Sequence, residues 1–185
     1  NGGRLHTRAA VFYSDFEDYQ VYRLNPMNPT EAYMVNASEA SSFGLELEAE
    51  AAVSDTVTLS AALGLVNAEF DSYTDNVLRS VLGPHAAGYE FGGNDINFVP
   101  EYTANLGAHI DLPWNLYTNW EVQGIGDYWL DEANTAEQDA YALVNARIGY
   151  KRDNWELFVY ARNLTDEDYS NDALDLRYTD YSNPA

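Results

Sequence analysis

The 185 residues contain no cysteine, only 9 Lys and Arg against 30 Asp and Glu, and no unbroken apolar stretch of helical membrane length. Without cysteine there is no disulfide framework and no thiolate zinc site. A formal charge of −21 removes the basic stripe that a phosphate-tracking protein needs, so nucleic acid is excluded as a partner. Glu, Asp, Asn or Arg interrupts every 18-residue window, so no helix crosses a membrane. A β-barrel stays open, because its lipid face takes only alternate residues. What the chain does have is 46% apolar and 14% aromatic residues, including 15 Tyr, a composition for ordered β structure and not for an acidic disordered chain. The start at Asn1-Gly2-Gly3 shows neither an initiator Met nor a signal-peptide pattern, so an internal piece of a longer chain is expected.

Period two dominates the sequence. From Ser41 to Ala51, Phe43, Leu45, Leu47, Ala49 and Ala51 share one face and Ser42, Gly44, Glu46, Glu48 and Glu50 the other. After the turn Ser54-Asp55-Thr56, alternation resumes with Val57, Leu59, Ala61, Leu63 and Leu65. A second hairpin joins Tyr102–Leu112 to Leu116–Gln123 across Pro113-Trp114-Asn115. A third joins Ala142–Tyr150 to Trp155–Ala161 across Lys151–Asn154, and Leu5–Tyr13 forms one more strand with an extension through Asp18. The turns within hairpins are short. The segments between them, near Tyr22–Asn36, Asp71–Asn97 and Trp129–Asp139, are long.

Short connections on one rim and long ones on the other describe an up-and-down outer-membrane barrel, with the short turns periplasmic. The runs also match the roughly 9–11 residues of a tilted spanning strand, against about 5–6 for soluble strands. Alternation alone leaves a soluble jelly roll open. The polar, tyrosine-rich stretch Thr165–Ala185 offers no further strand, and seven strands do not close a barrel, so truncation at both ends is expected.

Several ordered segments carry a family resemblance: Ala9-Ala10-Val11-Phe12-Tyr13 leading to Asp18-Tyr19-Gln20; Asn36-Ala37-Ser38-Glu39-Ala40 leading to Gly44-Leu45-Glu46-Leu47-Glu48; and Leu63-Gly64-Leu65 with Ala68-Glu69-Phe70. It continues through Phe98-Val99-Pro100-Glu101-Tyr102-Thr103-Ala104-Asn105-Leu106, Asn134, and Tyr141 with Leu143-Val144-Asn145-Ala146-Arg147-Ile148-Gly149-Tyr150. Trp155, Ala161-Arg162-Asn163-Leu164-Thr165-Asp166 and Tyr169 complete it. In this order the chain resembles the C-terminal part of TonB-dependent outer-membrane receptors. The resemblance implies an all-β, antiparallel up-and-down transmembrane segment, about seven to eight strands of a 22-stranded barrel plugged by an N-terminal domain. Residues 1–185 then form one partial barrel domain, with the plug, the early strands and the last strand lying elsewhere.

What the resemblance implies about activity is energy-coupled uptake of a scarce nutrient, such as an iron-siderophore, cobalamin or an oligosaccharide, with no cofactor and no catalytic residues. A passive pore and a soluble carbohydrate-binding β-sandwich are the alternatives. The implied partners are outer-membrane lipid and lipopolysaccharide, the TonB complex through the missing N-terminal part, and the nutrient itself. The implied setting is the outer membrane of a Gram-negative bacterium, with a monomeric barrel.

Individual residues then take expected places. Tyr73, Tyr89, Phe91 and Trp129 lie in long connections where aromatic rings stack on a ligand. Glu46, Glu48, Glu50, Arg147 and Arg162 share the lumen-facing parity. Trp114, Tyr117, Tyr150 and Trp155 cluster near short turns as a periplasmic aromatic girdle, with Tyr13, Phe70 and Tyr128 at the opposite interface. His6, His85 and His109 have no metal-ligand spacing. Asp166, Asp168, Ser170 and Asp172 imitate a calcium loop, but Asn171 replaces its glycine and Arg177 its bidentate Glu, so an EF-hand is rejected. The segments 15–39, 69–95, 127–139 and 166–180 hold most of the acidic residues, opposed only by Arg23, Arg79 and Arg177. The acidity thus belongs to the outward rim, where divalent cations are expected to bridge it to lipopolysaccharide.

Overall fold

In the computed structural model, residues 4–25, 28–36, 39–76 and 88–170 are described. Their strands are β1 (Leu5–Glu17), β2 (Gln20–Asn25), β3 (Asn28–Asn36), β4 (Glu39–Ala52), β5 (Val57–Ser72), β6 (Thr74–Asp75) and β7 (Tyr89–Glu90). Then follow β8 (Tyr102–Leu112), β9 (Leu116–Ile125), β10 (Tyr128–Trp129), β11 (Glu137–Gln138), β12 (Tyr141–Arg152) and β13 (Trp155–Ala161).

Seven of these form one sheet in the order β1-β4-β5-β8-β9-β12-β13, every neighbouring pair antiparallel. The remaining six pair locally as β2-β3, β6-β7 and β10-β11. With those small ladders set aside, sheet order follows chain order, the up-and-down meander that the spacing of the hairpins predicts. A two-residue loop between Arg152 and Trp155 and a three-residue loop between Leu112 and Leu116 reverse the chain at one rim. At the turn between β8 and β9, Trp114 and Asn115 both sit at φ 63°, the left-handed geometry that fits a tight reversal to the twist of its strands.

Because directly opposed residues of antiparallel strands point to the same side, register fixes the two faces. One cross-strand row reads Thr7, Ala49, Ala61, Leu106, Val122 and Val144, and the adjacent row on the other face reads His6, Glu50, Ser60, Gly107, Glu121 and Asn145. The first face is apolar from β1 to β13, and it is open: Leu106, Ile148, Leu157 and Val159 are all exposed. A sandwich would cover such a face with a second sheet about 10 Å away. Here the sheet is a single layer, so the sandwich alternative does not describe it.

The apolar band has a height. From Leu5 to Tyr13 on β1 and from Val57 to Leu65 on β5 the outward positions are largely apolar; toward the long connections the row Tyr13, Phe43 and Asn67 is mixed, and the one beyond it reads Asp15, Ser41 and Glu69. Eight residue steps at about 3.3 Å, tilted about 40°, rise about 20 Å, close to the roughly 25 Å apolar band of outer-membrane barrels.

Apart from Tyr117, buried on β9 near the short turns, the buried apolar residues among those described lie at the rim of long connections. Val21, Ala40, Ala68, Phe70, Tyr73, Phe91 and Ile96 form the main cluster, with Tyr19, Val66, Val99 and Ala133 packed on it. A one-layer sheet has no interior, so the main cluster arises where connections fold back onto strand ends.

Candidate functional site at the rim

Two long connections meet over the upper ends of β4 and β5. The segment after β7 returns along β5: Ile96 N–H donates to the Ala68 carbonyl (2.9 Å), Phe70 N–H to that of Asn94 (2.9 Å) and Gly93 N–H to that of Phe70 (2.6 Å). Gly93 takes φ +84°, which its missing Cβ permits. Phe70 is the anchor of this arrangement, 0% exposed, with ring centroids 6.0 Å from Tyr19 and 5.1 Å from Tyr73. Tyr73 lies 5.2 Å from Phe91, and Tyr89 stacks on Phe91 at 6.2 Å with planes 5° apart.

The connection between β9 and β12 locks onto the first. Asn134 Oδ1 accepts from Asp95 N–H (2.8 Å), while Asn134 Nδ2 donates to the Asp95 carbonyl (3.0 Å). Asn94 Nδ2 donates to the Glu132 carbonyl (2.8 Å), and Trp129 Nε1 donates to Asp95 Oδ2 (3.1 Å). Within this connection the Asp131 carboxylate accepts from Thr135 N–H (2.8 Å), Thr135 Oγ1 (2.7 Å) and Ala136 N–H (2.9 Å), replacing the bonds a regular ladder would give. Asn134 takes φ 52°, tolerable for a residue whose side chain bonds locally. A third segment closes the group: Tyr169 stacks on Tyr141 at 4.5 Å, and Tyr128 Oη donates to the Ser170 carbonyl (2.8 Å).

The four aromatic residues expected to meet a ligand therefore separate. Tyr73 and Phe91, 1% and 5% exposed, are consumed by the packing that holds the connections; Tyr89 is exposed and Trp129 half-buried. Phe70 and Tyr128 are likewise buried and do not join an outer girdle, whereas Tyr13 projects from the apolar face. Their burial depends on connections returning from distant sequence, which strand parity does not carry.

The polar face holds the other expected residues. Glu46, Glu48 and Glu50 are exposed along it, and Arg8 pairs with Glu48 at 3.3 Å. Toward β12, Asn105 Nδ2 and Asn145 Nδ2 donate to the two oxygens of Glu121 (2.8 and 3.2 Å). Nearer the short turns, Arg147 pairs with Glu156 at 2.7 Å and its guanidinium lies 3.6 Å from the Phe158 ring centroid. Arg162 lies 5.6 Å from the Tyr160 ring centroid.

Of the four girdle residues, Tyr150 and Trp155 pack together at 5.4 Å beside the short turns, and Trp114 stands at a turn tip, 83% exposed. Tyr117 departs from that expectation. It pairs with Gly149 on the polar face, donates to Glu156 and lies beside Arg147. Its parity carried this: residues at odd positions of β9 lie on the polar face, and a Cβ at Gly149 would overlap its ring.

Among the described residues no group of three or more His, Asp or Glu side chains is placed to hold a metal ion. His85, Asn171, Asp172 and Arg177 lie outside the described residues.

Comparison with known proteins agrees with this geometry. The family described as TonB dependent receptor-like, beta-barrel matches residues 1–164. The ferrioxamine receptor of Yersinia enterocolitica is 27% identical over 126 residues, 66% of this chain and 15% of that protein. The ferric yersiniabactin uptake receptor of Yersinia pestis superposes with a TM-score of 0.68 at 24% identity, over 91% of this chain and 24% of that one. The siderophore receptor of Acinetobacter baumannii gives 0.67 at 20% identity, over 90% and 22%. The chain thus spans about a quarter or less of the length of these relatives. With a polar face, an apolar face and a packed rim of long connections matched across nearly its whole length, the chain belongs to the TonB-dependent receptor β-barrel family.

Proposed function

We propose that this chain is a wall segment of an outer-membrane receptor that captures a scarce small-molecule nutrient and admits it by TonB-coupled transport. One observation carries the reading: a single antiparallel sheet exposes an apolar face throughout, turns sharply at one rim and carries interlocked connections at the other. A lipid-facing wall needs the first, and a ligand-binding mouth needs the last. Family membership and relatives named for ferrioxamine and ferric yersiniabactin support an iron-siderophore as the nutrient.

In this reading residues 1–185 are one partial barrel domain, and the plug, the TonB-contacting segment, the early strands and the last strand belong to the rest of the protein. The barrel is a monomer in the outer membrane of a Gram-negative bacterium and catalyses no reaction. Tyr89 and Trp129 offer the ring faces for ligand contact, and the acidic rim meets lipopolysaccharide through divalent cations. Glu46, Glu48, Glu50, Arg147 and Arg162 line the lumen, and Trp114, Tyr150 and Trp155 mark the periplasmic interface.

The test is uptake of a radiolabelled ferric siderophore by cells carrying the full-length receptor. Accumulation that vanishes when the TonB-contacting segment is deleted is the expected result. Undiminished import by that deletion would refute energy-coupled uptake.

A further inference from the structure

At the rim of short turns the apolar face ends in a corner of side chains whose polar tips are unspent. Tyr150 opposes Leu116 of β9 and Leu157 of β13, and in the next row toward the turn Arg152 opposes Trp155. All five therefore share the face on which Ile148 and Val159 are exposed. The Arg152 guanidinium meets only the Asp153 carboxylate, through Nε at 3.6 Å, beyond hydrogen-bond reach. Among the described residues no protein acceptor takes the terminal nitrogens of Arg152, the Trp155 indole N–H or the Tyr150 hydroxyl. The corner is nonetheless fixed in place. Lys151 N–H donates to the Asn115 carbonyl (2.9 Å) and Asn115 Nδ2 to the Lys151 carbonyl (3.1 Å), which ties the β12–β13 turn to the β8–β9 turn.

We propose that this corner binds the phosphodiester of an anionic phospholipid in the periplasmic leaflet, with the acyl chains along Leu116, Leu157 and Val159. Donor chemistry and charge select this occupant. A guanidinium and an indole N–H only donate, and a phosphodiester only accepts. The planar fork of Arg152 fits two phosphate oxygens at once, and Asp153, exposed at the turn tip, leaves that fork open. An anionic headgroup is preferred to a zwitterionic one because it brings no ammonium to compete for its own phosphate or to repel Arg152. The apolar floor takes chains that a free phosphate lacks. The inference rests on the sheet being a membrane wall with its short turns periplasmic.

The test reconstitutes the full-length receptor in phosphatidylcholine vesicles with a small fraction of phosphatidylglycerol or phosphatidylcholine brominated high on the chain. The Trp155 fluorescence is isolated by subtracting the Trp155→Phe variant, and that of Trp120, which is exposed on the apolar face, by subtracting Trp120→Phe. Trp120 is quenched equally by both lipids, whereas Trp155 is quenched about threefold more by the glycerol lipid, the scale of one partly exposed charge contact. Arg152→Gln brings that ratio to about one and leaves Trp120 quenching as it was. Equal quenching of Trp155 in the unaltered protein, no quenching of it by either lipid, or a ratio that survives Arg152→Gln overturns the proposal. So does loss of the difference on adding inorganic phosphate, which would assign the corner to a soluble anion. Absence of Trp120 quenching by either lipid would instead refute the membrane wall itself, and the proposal with it.

Discussion

Replacing Phe70 by alanine removes the one ring around which both long connections are organised. Phe70 is fully buried against Tyr19 and Tyr73, within a cluster that also holds Ala40, Phe91 and Ile96. A buried Phe→Ala change costs about 3–5 kcal/mol, part lost transfer and part cavity. Taken at about 3 kcal/mol, this raises the opening constant of the rim about 150-fold, up to the point at which the connections are open all the time. The cost is local, because among the described strands of the seven-stranded sheet the cluster draws its residues from the upper ends of β4 and β5, while the sheet is held by ladders running down to the short turns. Hydrogen exchange on the full-length receptor separates the two. In Phe70→Ala the amides of Phe91, Gly93 and Ile96, which bond to Tyr73, Phe70 and Ala68, lose protection, while those in the middle of β8 and β9 keep it. Phe70→Leu, which keeps most of the volume, restores much of the protection. Unchanged protection at Ile96, or equal loss throughout β8 and β9, would refute the picture of a rim packed independently of the wall.

Other perturbations address the faces and the rim separately. Leu106→Lys places a charge on the apolar face and costs about 2–4 kcal/mol of assembly near the bilayer midplane, whereas Asn105→Lys, one position away on the polar face, assembles normally; yield of heat-modifiable barrel in outer membranes reads the difference. Gly149→Ala forces the Tyr117 ring from its bond to Glu156 and destabilises the barrel by about 1–3 kcal/mol, a loss that Tyr117→Ala in the same chain largely removes in a thermal unfolding cycle. Asp131→Ala strands the Thr135 and Ala136 amides and costs about 1–3 kcal/mol, seen as faster proteolysis between β10 and β11 with unchanged barrel yield. Trp129→Ala weakens binding of a ferric siderophore about tenfold, measured by tryptophan-independent equilibrium dialysis, while Tyr73→Phe leaves it unchanged because that ring is buried.

The wall was legible because its signal is local. The alternation of Phe43, Leu45 and Leu47 with Gly44, Glu46 and Glu48 states a strand and both its faces without reference to anything else, and short turns such as Pro113-Trp114-Asn115 fix which strands adjoin. The same alternation placed Tyr117 on the polar face, and its closeness to Trp114 pulled the girdle assignment away from what parity implied. The rim was not legible. Tyr73 and Phe91 look like any loop aromatics until the segment after β7 returns along β5, and that return is set by hydrogen bonds from Phe70, Gly93 and Ile96 whose partners lie 20 or more residues apart. Asn134 stood out as part of the family resemblance, yet its bonds to Asp95 across 39 residues, which tie the two connections together, leave no periodic trace. The register slip at Glu39 and Ala40, where β4 bends toward the cluster, leaves none either.

The absence of cysteine from this stretch supplies the means for the most direct test of the wall. Single cysteines are placed at each position from 104 to 110 of the full-length receptor, labelled with a small fluorophore, and the protein is reconstituted in bilayers carrying a nitroxide on the lipid chain. Quenching with period two is predicted: strong at 104, 106, 108 and 110, the positions of Ala104, Leu106, Ala108 and Ile110, and weak at 105, 107 and 109. Uniform quenching, no quenching, or the opposite alternation would contradict a single sheet with one face in lipid and the other lining the lumen.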